Sequence, residues 1–358
     1  MVGQLFMTYV YGASATSATP AQRAANVALY GVPTGAQVVR RWHLGGIILI
    51  GYNNLDPARP TLASDNVDNA AQITALTRGL QEAATQDGGP PLLVSTDQEG
   101  GRVQRITSGV SPRPSQRALA SVGRGALECG YVHLGEQLRV LGVNQDLAPD
   151  ADVVTTASGV IGDRSFGPDP GLDATDVTAA VTGLQGAGVL ATLKHWPGHG
   201  STSTDSHLQL AVVHESQSTW HGLDRVPFAR AAPLAAAIMV GHLALPAIDP
   251  SGAAATFSPI LTQGLLRDQL GYRGLIISDS LWMKPARDGG TPGQVASRIL
   301  TAGIDMMLEP PDLPGAYASV LHAVRTRPTF RARVQDAVQH VLAAKQQVAR
   351  APSRPASC

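Results

Sequence analysis

Val189-Leu190-Ala191-Thr192-Leu193 runs directly into Lys194-His195-Trp196-Pro197-Gly198-His199-Gly200. Four apolar residues and a threonine, two of the five β-branched, suit a strand buried on both faces, as in parallel sheets. The chain then turns polar and breaks at Pro and Gly, so the strand is read as ending at Leu193 and opening a loop that carries an ammonium and two imidazoles. The pattern recurs in Val2 to Val10, Gly46 to Ile50, Leu92 to Thr96, Val143 to Leu147, Ala236 to Val240, Leu275 to Ser278 and Ile304 to Leu308. Between these runs, Asn66 to Ala84, Tyr131 to Leu141, Ala174 to Gln185, Ile260 to Leu270 and Gln294 to Ala302 carry apolar residues at three- and four-residue spacing, as outer helices do. About eight strand-plus-connection units predict an α/β fold, a closed (β/α)8 TIM-type barrel.

The barrel is read as residues 1–349 and as one domain. After Glu309, Gly315 to Arg325 and Phe330 to Val348 read as two extra C-terminal helices, and Arg350 to Cys358 as a disordered tail. Gly12 to Ala18 reads as a loop.

Composition narrows the function. Lys+Arg 27 balance Asp+Glu 27 in 358 residues, so no basic field exists to hold nucleic acid or an anionic membrane. With 44% hydrophobic and only 15% charged residues, a large buried interior is expected. The most apolar run, Ala231 to Ile248, is interrupted by Pro233, Gly241 and His242 and is no membrane span. Cys129 and Cys358 are too few for a disulfide framework or a four-thiolate metal site. The first residues show no basic region and no small-residue cleavage site. Localisation stays open between cytoplasmic, as the chain stands, and secreted or cell-surface with a leader removed.

Polar residues gather at one end of the strands: Asp97, Asp146, Lys194-His195, His242, Asp279 and Glu309. Barrel enzymes place their active sites at that end. The densest block, Asp97-Gln98-Glu99-Gly100-Gly101-Arg102-Val103-Gln104-Arg105, joins carboxylates and guanidiniums, a set suited to a hydroxyl-rich ligand; the rival reading is that these charges pair with one another. In the loop after the fifth strand, Gly198 and Gly200 predict mobility. There, the Asp205-x-His207 spacing lets a carboxylate hold one imidazole nitrogen and free the other for proton exchange. Metal binding by His195, His199 and His207 is the alternative, although no HxH or HExxH spacing is present. Asp279, in Ser278-Asp279-Ser280 at the mouth of a greasy strand, reads as a poorly solvated carboxylate nucleophile kept ionised by a cation such as Lys194, or else as a helix N-cap.

At these blocks, and at Ile161-Gly162-Asp163-Arg164-Ser165-Phe166-Gly167, the chain resembles glycoside hydrolase family 3, and within it the single-domain β-N-acetylhexosaminidases of the NagZ type. The resemblance implies a barrel fold with Asp279 as the catalytic nucleophile, His207 paired with Asp205 as an acid/base dyad, and Asp97, Arg105, Arg164, Lys194 and His195 as the residues holding N-acetylglucosamine. It also implies no cofactor and no metal. Ser280 departs from the pattern, standing where relatives often carry a second Asp, and Trp196 stands where they usually carry Phe. The expected activity is retaining, exo-acting removal of terminal β-linked N-acetylglucosamine from peptidoglycan fragments or chitooligosaccharides, by a monomer. A phosphorylase, a non-catalytic carbohydrate-binding protein and a metal-dependent barrel hydrolase remain as alternatives.

Overall fold

The computed structural model describes residues 1–155, 159–350 and Cys358. Eight parallel strands close a barrel: β1 (Phe6–Thr8), β2 (Gly46–Ile48), β3 (Leu93–Thr96), β4 (Gln145–Asp146), β5 (Leu190–Trp196), β6 (Ala237–Val240), β7 (Leu275–Ser280) and β8 (Met306–Leu308). Each strand pairs with its neighbours in sequence, and β8 returns to β1 with Phe6 opposite Met307 and Met7 opposite Leu308. Every strand expected from the sequence lies in this barrel.

The boundaries differ in instructive ways. Val2–Leu5 is a 3-10 turn instead of strand. Gln4 donates to the carbonyls of His43 and Leu44, and a Cβ on Gly3 would lie 1.9 Å from the Trp42 carbonyl oxygen, so this turn is pressed into the barrel floor. At the other end, β5 continues three residues past Leu193. Pairing persists through the polar residues, because Ala151 N–H donates to the Lys194 carbonyl at 2.6 Å and Gly241 N–H to the Trp196 carbonyl at 2.9 Å. Lys194 and His195 are therefore strand residues, and polarity marks the face of the barrel mouth here, not the end of the strand.

The expected outer helices appear as Ala70–Thr85, Arg124–Val140, Pro170–Gly186, Ile260–Gln269 and Pro292–Ala302. Ile260–Gln269 is wound as a π-helix, with Gly264 N–H bonded to the Pro259 carbonyl and Leu270 N–H to Leu265. Buried Leu261, Leu265 and Leu266 stand four and five apart, a spacing that fits a 3.6-residue and a wider turn equally over so short a run. Pro20–Tyr30 and Gly35–Trp42 are two further helices that link β1 to β2; the sequence signal for the first is its capping box, Thr19 with Gln22, and Pro20 at the first helical position.

Leu313–Thr326 and Pro328–Arg350 supply the C-terminal helices, and the second reaches under the barrel, where Lys345 Nζ donates to Gln4 Oε1 at 2.6 Å. Of the expected tail, Arg350 closes that helix and Cys358 forms a disulfide with Cys129, 229 residues away; residues 351–357 lie outside the described residues. Among the described residues no helix is long and apolar enough to cross a membrane.

Candidate active site

The C-terminal ends of the strands surround a cavity of about 200 Å³. Asp97, Glu99, Arg105, Arg164, Lys194, His195, His207, Asp279 and Glu309 all line it. Asp205 stands directly behind His207. All eight site residues expected from the sequence thus converge on one place. Two members of the polar ring do not reach the cavity. Asp146 is buried, and its Oδ1 accepts the Gln98 N–H at 2.9 Å. His242 is buried with its Nε2–H donating to the Ser280 carbonyl at 3.0 Å, since a carbonyl can only accept.

The cationic wall is organised by Glu99. This fully buried carboxylate accepts two bonds of 2.8 Å from Arg164 and one ion pair of 2.7 Å from Lys194, while Lys194 Nζ also donates to Asp97 at 2.8 Å. Burial pushes the Glu99 pKa up, but Arg164 and Lys194 outweigh it and hold the carboxyl well below the usual range. Burial likewise opposes ionisation of Asp97, and Lys194 and Arg105 overcome it. The charges of this block pair with one another: Glu99 with Arg164 and Lys194, and Asp97 with Lys194 and, at 3.7 Å, with Arg105. All of them line the cavity, where Asp97 and Arg105 are partly exposed.

His195 has a defined tautomer. Arg164 Nη2 sits 3.4 Å from its Nε2, and a guanidinium only donates, so Nε2 is the acceptor and Nδ1 carries the proton to Asp152 Oδ2 at 2.7 Å. Burial, helped by Arg164, lowers its pKa to about 4, which keeps the ring neutral at physiological pH. Asp152 accepts the backbone N–H groups of His195 and His199 as well. Its neighbour Asp150 is pushed well above the usual carboxylate range by burial and by Asp152.

Asp150, Asp152 and His195 form a cluster of metal-ligand type, but Asp152 takes the His195 proton and Arg164 stands 3.5 Å from Asp150, so cationic charge is already present. The three histidines considered for a metal do not converge. His199 spends both ring nitrogens on Ser206 (2.9 Å) and Thr202 (2.5 Å), and His207 Nδ1 pairs with Asp205.

Asp279 ends β7 half-buried, and its Oδ1 accepts the N–H of Ser280 at 2.7 Å. It is a strand residue and caps no helix. Burial would raise its pKa; His195, His242 and His207, with the Ser280 N–H, outweigh that and lower it. The sequence reading named Lys194 as the compensating cation. Lys194 is instead engaged by Asp97 and Glu99.

Across the cavity, Asp205 Oδ1 accepts both the backbone N–H (2.9 Å) and the Nδ1–H (2.7 Å) of His207. Both side chains are exposed, at 47% and 44%, which leaves Nε2 of His207 accessible for proton exchange. The loop bearing them is pinned by the Ser206 to His199 bond and by Lys284 N–H donating to the His207 carbonyl at 3.0 Å. Its glycines answer to close packing: a Cβ on Gly198 would lie 2.5 Å from Asp224, and one on Gly200 2.1 Å from the Val153 carbonyl oxygen.

The glycosyl hydrolase family 3 N-terminal domain matches residues 29–344. The chain belongs to glycosyl hydrolase family 3. It is a glycoside hydrolase. The family's similar proteins include a beta-hexosaminidase of Nitrosomonas eutropha, 36% identical over 256 residues, 69% of this chain and 72% of that one. Another, from Pseudomonas aeruginosa, is 34% identical over 305 residues, 84% of this chain and 85% of its own length. Among solved family 3 structures, the β-N-acetylglucosaminidase of Paenibacillus sp. FPU-7 superposes with a TM-score of 0.86 at 32% identity over 100% of this chain, which spans 64% of that protein. The β-N-acetylhexosaminidase of Beutenbergia cavernae gives 0.79 at 29% identity, covering 96% and 97%.

This family 3 cavity also has walls that the sequence reading did not single out. Tyr52-Asn53-Asn54-Leu55 after β2 forms one side and Met239 and Met283 another. The abrupt polar turn after Gly46 to Ile50 was the available signal for the first; the methionines gave none, being apolar residues in apolar runs.

Proposed function

We propose that this glycoside hydrolase is a retaining, exo-acting β-N-acetylglucosaminidase of the β-hexosaminidase type. The observation that carries the reading is a single cavity lined by an ionised, half-buried Asp279 on one strand end and by His207, backed by Asp205, on a loop from another. Asp279 attacks the anomeric carbon and forms a covalent glycosyl-enzyme, while His207 gives its Nε2 proton to the departing oxygen. In the second half His207 takes a proton from water, which attacks the same carbon and releases Asp279. Asp205 holds the imidazole orientation through Nδ1 and steadies the imidazolium as it forms.

Asp97, Arg105 and Lys194 bind the sugar hydroxyls, and Arg164 with His195 completes the wall. The names of the similar solved structures support the N-acetylated sugar as the unit recognised. Peptidoglycan fragments and chitooligosaccharides both present it at a β-linked non-reducing end, and these are the substrates we assign to the enzyme, acting as a monomer without metal or cofactor. The 1–349 barrel is the catalytic unit.

The test is nitrophenol release from the β-N-acetylglucosaminide and the β-glucoside, with and without phosphate. Release from the N-acetyl sugar, indifferent to phosphate and yielding free sugar, is expected. Dependence on phosphate with a sugar 1-phosphate product would make it a phosphorylase, and inactivity on both would favour a binding protein.

A further inference from the structure

Glu309 follows β8 at the cavity wall, and the mechanism above gives it no task. Strand alternation would turn it away from the barrel. Leu308 already faces the cavity, while Met307 lies in a separate apolar pocket on the outer side. Glu309 nevertheless lines the cavity beside Leu308, because its backbone adopts φ 52, a left-handed conformation uncommon for any residue with a side chain. Its N–H is fixed to the Met7 carbonyl at 2.7 Å. Such an outlier persists where the surroundings over-determine it, and functional sites are where outliers gather.

Glu309 as a residue is only 7% exposed, and its buried Oε1 has no hydrogen-bond partner. An ionised carboxylate needs donors on both oxygens; the carbonyl oxygen of a neutral acid tolerates their absence far better. The proton then belongs on Oε2.

We propose that Glu309 is a specificity-determining residue: as a neutral carboxylic acid it donates a hydrogen bond to an acceptor oxygen of the uncharged N-acetylated sugar in this cavity. This rests on the reading of the cavity as an N-acetylglucosamine site. The groups around Glu309 fit the assignment. Asp97 and Asp279 disfavour its ionisation, Arg105 and the Ser280 hydroxyl favour it, and Tyr9 and Tyr30 behind it are kept neutral by burial. Burial is the largest influence and, with the two carboxylates, pushes the pKa up to about 7. Below that pH the donor is present; above it the group becomes an acceptor with negative charge, and the sugar oxygen loses its partner.

Binding of N-acetylglucosamine by calorimetry between pH 6 and 8.5 tests this directly. For the unmodified enzyme, affinity should weaken by about 10-fold across that range, following deprotonation of one group. Glu309→Gln keeps a donor of the same shape without titrating, so its affinity at pH 6 should stay within about 3-fold and its profile should be at least about 3-fold shallower than that of the unmodified enzyme. Glu309→Leu should bind about 5-fold or more weakly at pH 6 while melting at an unchanged temperature. The same pH profile in the unmodified enzyme and the Gln variant, undiminished binding by the Leu variant, or no binding of the sugar at pH 6 would each overturn the proposal. Hydrolysis is read separately: an enzyme that binds with the expected profile yet cleaves no β-N-acetylglucosaminide upholds this assignment and removes the catalytic one.

Discussion

Asp279 combines two properties that oppose each other in most carboxylates: it is poorly solvated, and it is ionised. Desolvation alone would protonate it, and the imidazoles of His195, His242 and His207 reverse the sign. Replacing it by Ala should reduce turnover of every substrate to the detection limit while leaving N-acetylglucosamine binding in place, as a kinetic and calorimetric comparison would reveal. In the proposed mechanism His207 acts on the leaving group, so the effect of its loss should depend on what leaves. His207→Ala should slow oligosaccharide cleavage by about 10² or more and an activated aryl glycoside by much less. Equal losses on both would argue against its role as proton donor.

His195 is expected to set the acid limit. Above about pH 4 the ring is neutral and accepts from Arg164; below, protonation places a second cation against that guanidinium. The kcat/KM profile should therefore fall as pH drops toward 4, and a profile level down to pH 3 would contradict the assigned tautomer.

At the scale of elements, the loop after β5 packs closely against its neighbours at its glycines. Gly200 lies against the Val153 backbone, where no side chain can give way. Gly200→Ala should destabilise the protein by about 1–3 kcal/mol, seen as a lower denaturant midpoint, and should lower kcat by displacing His207. The sequence carried the presence of this loop and its Asp205-x-His207 pair, because both are local patterns. It did not carry the reason for the glycines, since Val153 and Asp224 approach them only in the folded chain. The extension of β5 through Lys194 and His195 was hidden for a related cause: strand pairing depends on neighbours far away in sequence, and charged residues are depleted from most strands.

Across the whole molecule, strand number and order were legible, because a buried parallel strand needs an apolar run and each run stood alone between polar turns. The buried charge cluster behind β8 was not. Asp305 sits fully buried, accepting from Arg333 (2.9 Å), His340 (3.2 Å), Arg267 and the Ile276 N–H (2.9 Å), residues contributed by three separate segments. Burial raises its pKa, but His340, Arg267 and Arg333 outweigh it and lower it. A carboxyl whose folded pKa is depressed contributes stability that is present above its unfolded value and lost as pH falls through the folded one. Asp305→Asn should accordingly cost about 3 kcal/mol at neutral pH by removing the carboxylate partner of Arg267 and one of the two carboxylate partners of Arg333, with the difference shrinking in strong acid. Equal melting temperatures at pH 7 would show that the cluster does not hold the C-terminal helix to the barrel.

The central claim is that one carboxylate at the barrel mouth bonds covalently to the sugar. The measurement that reaches it most directly is inactivation by a fluorinated N-acetylglucosaminyl analogue whose slow second step traps the intermediate, followed by peptide mapping by mass spectrometry. A single adduct is expected on the peptide containing Asp279, absent in Asp279→Ala and chased off by added acceptor. An adduct on another carboxylate, or continued turnover with none formed, would contradict it.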